Sequence, residues 1–98
     1  MPDNLTIDDL LICLVEECSE VIHAATKCLR FGFDRTHPGY GHNREVLARE
    51  VGDLLGVIDE LPLTLETITQ NRIGKLKKIV RSKALREPLA DMGPARKT

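Results

Sequence analysis

Two clusters of carboxylates are the residues of this chain best suited to chemistry. Glu16, Glu17 and Glu20 form the first cluster, and Glu50 and Asp53 form the second. Residues three or four apart share a face of a helix, so each cluster contains an i, i+3 pair that can reach one cation. Oxygen-only ligands suit Mg²⁺ or Mn²⁺. The spacing therefore predicts a divalent metal site shared between two antiparallel helices.

The surroundings of Glu50 separate this prediction from the ordinary alternative, in which the acids are solvated side chains on a helix surface. One helical turn away from Glu50 lie Val46, Leu47 and Leu54, and two turns away lies Val57, so Glu50 falls inside an apolar stripe. A charge in such a position is costly unless it is paired or binds a cation. Glu50 therefore favours the metal site.

The helical wheel separates the three acids of the first cluster. At about 100° per residue, Glu17 falls at the edge of the apolar stripe, Glu20 just beyond it and Glu16 further round. We therefore expect Glu17 and Glu20 to be the inward ligands.

A di-iron site is the alternative metal site, but it does not fit the sequence well. A di-iron bundle would need a Glu-x-x-His motif on each of two helices, and here His23 follows Glu20 at that spacing only once.

Three helices are predicted to position these side chains, which makes the fold all-α. Apolar residues recur at helical spacing over residues 7–31, 44–61 and 65–86. Residues 32–42 contain three Gly and one Pro and predict a loop long enough to carry function. We expect a single domain over residues 1–86 and a loose tail over 87–98.

Cap residues mark where the helices begin and end. Asn4 or Thr6 can cap the first helix, Asn43 the second and Thr64 the third. The second helix is expected to end before Pro62.

The size of the chain and two glycines point to further helix packing. Gly52 and Gly56 lie four apart on the second helix, which predicts close approach of another helix there. A chain of 98 residues buries a modest core and is marginal alone. Association of identical subunits would relieve that deficit.

Charge and composition exclude several classes of protein. The formal net charge of -1 argues against a nucleic-acid binder, although residues 72–83 contain six basic and no acidic side chains. No apolar stretch reaches about 18 residues, so no membrane span is expected. The three cysteines have no Cys-x-x-Cys spacing and indicate thiols in a reducing compartment. These features predict a cytoplasmic protein.

The order, spacing and helical setting of the two acidic motifs resemble those of the MazG-like all-α nucleoside triphosphate pyrophosphohydrolases. Those enzymes carry a Glu-Glu-x-x-Glu motif and a later Glu-x-x-Asp motif, as do residues 16–20 and 50–53. The flanking sequences at 27–32 and 43–45 resemble compact, often phage-encoded members. The resemblance covers residues 10–83 and, for a phage protein, implies the host cytoplasm.

This resemblance implies cleavage of a (deoxy)nucleoside triphosphate between the α and β phosphorus, giving the monophosphate and pyrophosphate. Glu17, Glu20, Glu50 and Asp53 would be the Mg²⁺ ligands, and Glu16 would be a further ligand or would position the attacking water. Two or more Mg²⁺ ions, or Mn²⁺ in their place, would bind the phosphate oxygens and activate water.

Basic residues are the candidates for binding the phosphates. Family members place such residues on the helix after Glu-x-x-Asp, which assigns Lys75 and Lys78 here, with Arg72 on the same face. The alternative is a solvated basic face. Arg30, close after the first cluster, can also reach phosphate, and Asn71 can bond to sugar or base.

The aromatic and imidazole side chains near the loop are Phe31, Phe33, His37, Tyr40 and His42. Aromatic rings there can stack on a base, or the phenylalanines can plug the end of a helix while the histidines stay exposed. Some compact relatives prefer dGTP, so the resemblance implies a purine preference.

The family resemblance also implies dimers or dimers of dimers, in which helices of two subunits complete a four-helix active-site bundle. A non-catalytic helical interaction module, whose acids and bases only pair subunits, is the alternative function. Nucleic-acid binding through the basic third helix would require strong salt dependence.

Overall fold

The structure is a computed structural model that describes residues 4–85, with side chains described as far as residue 83. The elements are α1 (Ile7–Phe31), β1 (Thr36–His37), β2 (Gly41–His42), α2 (Asn43–Glu60) and α3 (Leu65–Leu85). The predicted all-α fold with three main helices is confirmed. The predicted tail at 87–98 and the predicted last residue of α3, Arg86, lie outside the described residues.

The described part of the chain forms two compact units that divide between Pro62 and Leu63. The first unit holds α1, the small hairpin and α2, and the second holds α3. No helix within residues 4–85 combines the length and the apolar character needed to cross a membrane.

Helix α1 has defined signals at both ends. The Thr6 side chain accepts a hydrogen bond from the Asp9 N–H, and the Asp9 carboxylate accepts one from the Thr6 N–H, forming a capping box. At the other end Gly32 has φ 108° and its N–H bonds to the Cys28 carbonyl. A Cβ at position 32 would lie 2.5 Å from Cγ of Arg35, so glycine fits this helix end best.

Antiparallel packing of α1 on α2 forms the core of the first unit. Cys28 near the end of α1 contacts Asn43 at the start of α2, and Glu17, earlier in α1, lies near Glu50 and Asp53, later in α2. Among the residues whose side chains are described, the buried apolar ones are Leu10, Ala24, Val46 and Leu61.

The apolar stripe of α1 is wider than the surface that α2 covers. Leu11, Val15, Ile22 and Leu29 are large apolar side chains of α1, yet each is 44% exposed or more. The small side chain of Ala24, by contrast, is 2% exposed. Helix α2 thus covers only part of the apolar surface of α1, and the remaining apolar side chains stay uncovered within the described residues.

The predicted loop at 32–42 contains a short antiparallel hairpin. Thr36 pairs with His42, and His37 pairs with Gly41. The tight turn between them is closed by the Tyr40 N–H bonding to the His37 carbonyl, with Gly39 at φ 76°. A positive φ at this position is the reason for glycine there.

Asn43 is not the N-cap of α2 as predicted, because its side chain has another partner. His42 is the N-cap and makes no side-chain capping bond. Asn43 is the first helical residue, only 1% exposed, and its Nδ2 donates to the Gly32 carbonyl at 2.8 Å. Its backbone N–H also bonds to the Arg35 carbonyl. Asn43 thus ties both helix ends to the hairpin.

The close helix approach predicted at Gly52 and Gly56 is not found among the described residues. A Cβ built on either glycine meets no atom within 4 Å.

Helix α3 contributes no buried side chain over residues 65–83. The described part of this helix therefore has no core of its own.

Candidate metal centre

Three of the predicted carboxylates come together where α1 packs on α2. One oxygen each from Glu17, Glu50 and Asp53 lies within 4.8 Å of the other two. Glu17 and Glu50 are half-buried, whereas Asp53 is exposed at the edge of the cluster. The i, i+3 spacing places Glu50 and Asp53 on one face of α2, and the packing brings Glu17 of α1 opposite that face.

Glu17 occupies a position in the packing seam that its neighbours fill with apolar groups. The side chains of Leu14 and Val21, one turn before and one turn after it on α1, are half-buried. Leu10 and Ala24 continue the same 3–4 spacing and are buried. Positions in such a seam are ordinarily apolar, so a carboxylate there requires a compensating interaction.

Glu50 has the same relation to α2. Val46, one turn before it, is buried, and Leu47 and Leu54 beside it are half-buried. The sequence prediction that Glu50 lies inside the apolar stripe agrees with this placement. Two seam carboxylates on facing helices therefore share one small volume.

Within the part of the chain whose side chains are described, this cluster has no neutralising partner. Among residues 4–83, no Lys, Arg or His forms an ion pair with Glu17, Glu50 or Asp53. Burial raises the pKa of the Glu17 carboxyl above its ordinary value, and the negative charges of Asp53 and Glu50 raise it further. The uncompensated charge and the all-oxygen donor set fit a hard divalent cation.

The other two predicted acids lie outside this cluster of three. Glu20 and Glu16 are exposed, and both charges contribute to raising the pKa of Glu17, after Asp53 and Glu50. Of the four expected ligands, Glu17, Glu50 and Asp53 thus meet in one cluster, and Glu20 lies outside it.

The predicted phosphate-binding residues of α3 are all exposed. Arg72, Lys75 and Lys78 recur every three residues and share one side of the helix. Asn71 is exposed as well, and its Nδ2 donates to the Thr67 carbonyl at 2.9 Å. This bond ties the Asn71 side chain to its own helix.

Three of the rings named above pack against one another at the hairpin. The sequence predicted rings in this region but not their contacts. His37 packs edge-on against Phe31, with centroids 5.4 Å apart, and against Tyr40, with centroids 5.7 Å apart. Lys27 lies over the Tyr40 ring, with Nζ 3.5 Å from the centroid. Arg30 is exposed and its Cζ lies 5.1 Å from the Phe31 centroid.

Sequence reasoning missed Lys27 and the role of Asn43. The available signal for Lys27 was its position seven residues after Glu20, which places both on one face of α1. Phe33, in the loop after α1, does not belong to this group of rings. It contacts Arg44, which also pairs with Asp34.

Comparison of the chain with protein-family models, with curated proteins and with solved structures gives no match.

Proposed function

We propose that this protein is a Mg²⁺-dependent nucleoside triphosphate pyrophosphohydrolase that converts a (d)NTP and water into the (d)NMP and pyrophosphate. The observation that carries the proposal is the uncompensated cluster of Glu17, Glu50 and Asp53, whose oxygens lie within 4.8 Å of one another. The resemblance of the two acidic motifs to the MazG-like enzymes supplies the reaction.

The spread of the three oxygens suits a Mg²⁺ ion. Ligand oxygens lie about 2.0–2.1 Å from Mg²⁺, so two on opposite sides of the ion are about 4.2 Å apart. Small side-chain rotations would therefore bring Glu17, Glu50 and Asp53 onto one ion. Mg²⁺ held there would supply positive charge to phosphate oxygens and lower the pKa of a bound water. Mn²⁺ accepts the same ligands.

The remaining acids and bases have roles in the same proposal. Exposed Glu20 adds a carboxylate for a second ion, and exposed Glu16 helps to position the attacking water. We assign the phosphates of the substrate to Arg72, Lys75 and Lys78, whose charge complements them.

Two exposed polar side chains are left for the rest of the substrate. Arg30 is a further phosphate contact, and Asn71 is a contact for sugar or base. A purine such as that of dGTP or GTP is the proposed base.

Association into a homodimer or homotetramer is part of the proposal. Large apolar side chains are exposed on all three helices, among them Val15, Leu55 and Leu76 at 69%, 53% and 61%. Exposed apolar surface on this scale marks an interaction surface. Identical subunits covering it would complete a four-helix bundle around the carboxylates.

Release of pyrophosphate from each of the eight common NTPs and dNTPs, with Mg²⁺ or Mn²⁺, tests the reaction. We expect pyrophosphate with at least one of them and none after chelation of the metal. Glu50→Gln and Asp53→Asn should each lower kcat by at least about 100-fold, the scale of loss for groups that act through the metal. Asp59→Asn, an exposed carboxylate on the same helix, is the matched control and should keep full activity.

The helical interaction module predicts the opposite results. In that case every nucleotide stays intact with both metals, Glu50→Gln weakens subunit assembly, and Mg²⁺ leaves the melting temperature unchanged. A melting scan with and without Mg²⁺ and a non-hydrolysable triphosphate separates the two functions, because only a ligand that binds the folded state raises the melting temperature.

A further inference from the structure

Three rings at the hairpin form one contiguous group, which we call the aromatic platform: Phe31, His37 and Tyr40. The His37 ring meets Phe31 at an interplanar angle of 65° and Tyr40 at 77°. Both are edge-to-face contacts, which are favourable for aromatic pairs. Phe31 is 44% exposed, and the other two rings are half-buried. The platform is therefore accessible and is not part of the buried core.

The platform is held in place by two hydrogen bonds of a buried residue, one from its side chain and one from its backbone N–H. Asn43 connects Gly32 and Arg35 to the start of α2, so the hairpin that carries Tyr40 is braced at its base. Rings fixed in this way lose little freedom when a flat ligand stacks on them.

One face of the Tyr40 ring is covered by the side chain of Lys27. Lys27 Nζ lies 3.5 Å from the ring centroid, which is a cation–π contact. The lysine is long and its ammonium group prefers water, so it is readily displaced. Stacking of a nucleobase on an aromatic ring is stronger than an exposed cation–π contact.

Two residues that contact or brace the platform, Lys27 and Asn43, share a helix face with predicted acids of the site. Lys27 follows Glu20 by seven residues on α1, and Glu50 follows Asn43 by seven residues on α2. Seven residues are two helical turns, or about 10 Å, on one face of each helix. The negative charges of Glu50 and Glu20 also help to raise the pKa of Tyr40, after burial and Cys28.

We propose that the aromatic platform binds the nucleobase of the substrate, which stacks on Tyr40 in place of Lys27 while the phosphates reach Glu17, Glu50 and Asp53. This inference rests on the proposed function. Two helical turns, the spacing of Lys27 from Glu20 on α1 and of Asn43 from Glu50 on α2, are comparable to the length of a sugar and its phosphate chain. The displaced Lys27 ammonium is then free to approach the sugar or the α-phosphate.

Tyrosine emission tests this inference without catalysis. Tyr40 is the only tyrosine and the chain has no Trp, so the emission comes from the platform alone. The probe is the α,β-methylene analogue of dGTP with Mg²⁺, and N-acetyltyrosinamide at matched absorbance corrects for absorption by the base. We expect saturable quenching by the analogue and none by inorganic tripolyphosphate with Mg²⁺. Equal responses to the two ligands would overturn the inference.

Variants of the platform provide a second test, read by calorimetric titration with the same two ligands. Tyr40→Leu should weaken binding of the analogue about tenfold, the effect of losing one stacking contact, and leave tripolyphosphate binding unchanged. Tyr40→Phe keeps the ring and should keep the affinity. Phe33→Leu is the control, since Phe33 is also a ring beside a cation near the hairpin but lies outside the platform.

The outcomes for this inference and for the proposed function are distinguishable. If the protein hydrolyses nucleotides and Tyr40→Leu binds the analogue as tightly as the unaltered chain does, the inference fails and the function stands. If no nucleotide is hydrolysed but Tyr40 emission is quenched, the function fails and the nucleobase site stands.

Discussion

The two units of this protein carry opposite charges and hold them in different ways. In the first unit the packing of α1 on α2 fixes Glu17 and Glu50 in half-buried positions. In the second unit all six basic residues between 72 and 83 are exposed, and no side chain at 65–83 is buried. Acids in the first unit are therefore placed by tertiary contacts, whereas bases in the second are placed only by the periodicity of α3.

This difference explains why the positions of the acids indicate a bound cation, whereas the positions of the bases do not by themselves indicate a ligand. A half-buried carboxylate beside two others is unfavourable unless a cation compensates it. An exposed lysine is solvated and requires no partner. The assignment of Lys75 and Lys78 to phosphate consequently rests on the resemblance and on their charge.

The largest expected difference between the units is in stability. Leu10 in the first unit is 4% exposed, and Leu76 in the second is 61% exposed. Leu10→Ala should lower the free energy of unfolding by about 2–5 kcal/mol at every protein concentration, because it leaves a cavity. Leu76→Ala should lower stability only at concentrations where subunits associate.

Chemical denaturation at several protein concentrations measures both effects, and sedimentation reports the assembly. If Leu76→Ala costs as much as Leu10→Ala in dilute solution, then α3 has a core within the single chain and the contrast between the units is wrong.

A smaller difference is expected in the kinetics. Lys75→Gln and Lys78→Gln should each raise KM about tenfold, with kcat nearly unchanged, since they remove binding that is equal in the ground and transition states. Lys77→Gln, on the opposite side of α3, is the control and should change neither constant. A fall in kcat comparable to that of Glu50→Gln would show that the α3 lysines act on the reacting phosphate.

The smallest expected effect is the pH dependence of stability that comes from Glu17. Its folded-state pKa is raised above the ordinary value of 4.5 by burial and by Asp53 and Glu50. The folded state therefore binds the proton more tightly, and metal-free stability falls as pH rises from 4.5 through the raised pKa. Glu17→Gln should remove this fall and melt at a higher temperature than the unaltered protein at pH 7 without metal.

Mg²⁺ should reverse that order at pH 7, because it stabilises the unaltered protein more than the variant. Melting temperatures at pH 4 and pH 7, with and without Mg²⁺, measure both effects. Asp59→Asn should keep the Mg²⁺ response. Equal Mg²⁺ responses in Glu17→Gln and the unaltered protein would remove Glu17 from the proposed ligands.

The sequence by itself determined the helices and the angular position of each side chain around its own axis. Apolar periodicity located α1, α2 and α3 to within a residue at the ends that are described. The cap at Thr6 and the stop before Pro62 follow from local chemistry. The same angular reasoning placed Glu50 inside its stripe, where the structure has it half-buried.

Only the tertiary structure decided which side chains of different helices meet. It selected the part of the wide α1 stripe that packs on α2, which left Glu20 outside the three-carboxylate cluster. It also placed Lys27 over Tyr40 and used Asn43 as a brace. The physical reason is that periodicity determines neither the rotation of one helix against another nor the path of a loop, because both depend on contacts between residues distant in sequence.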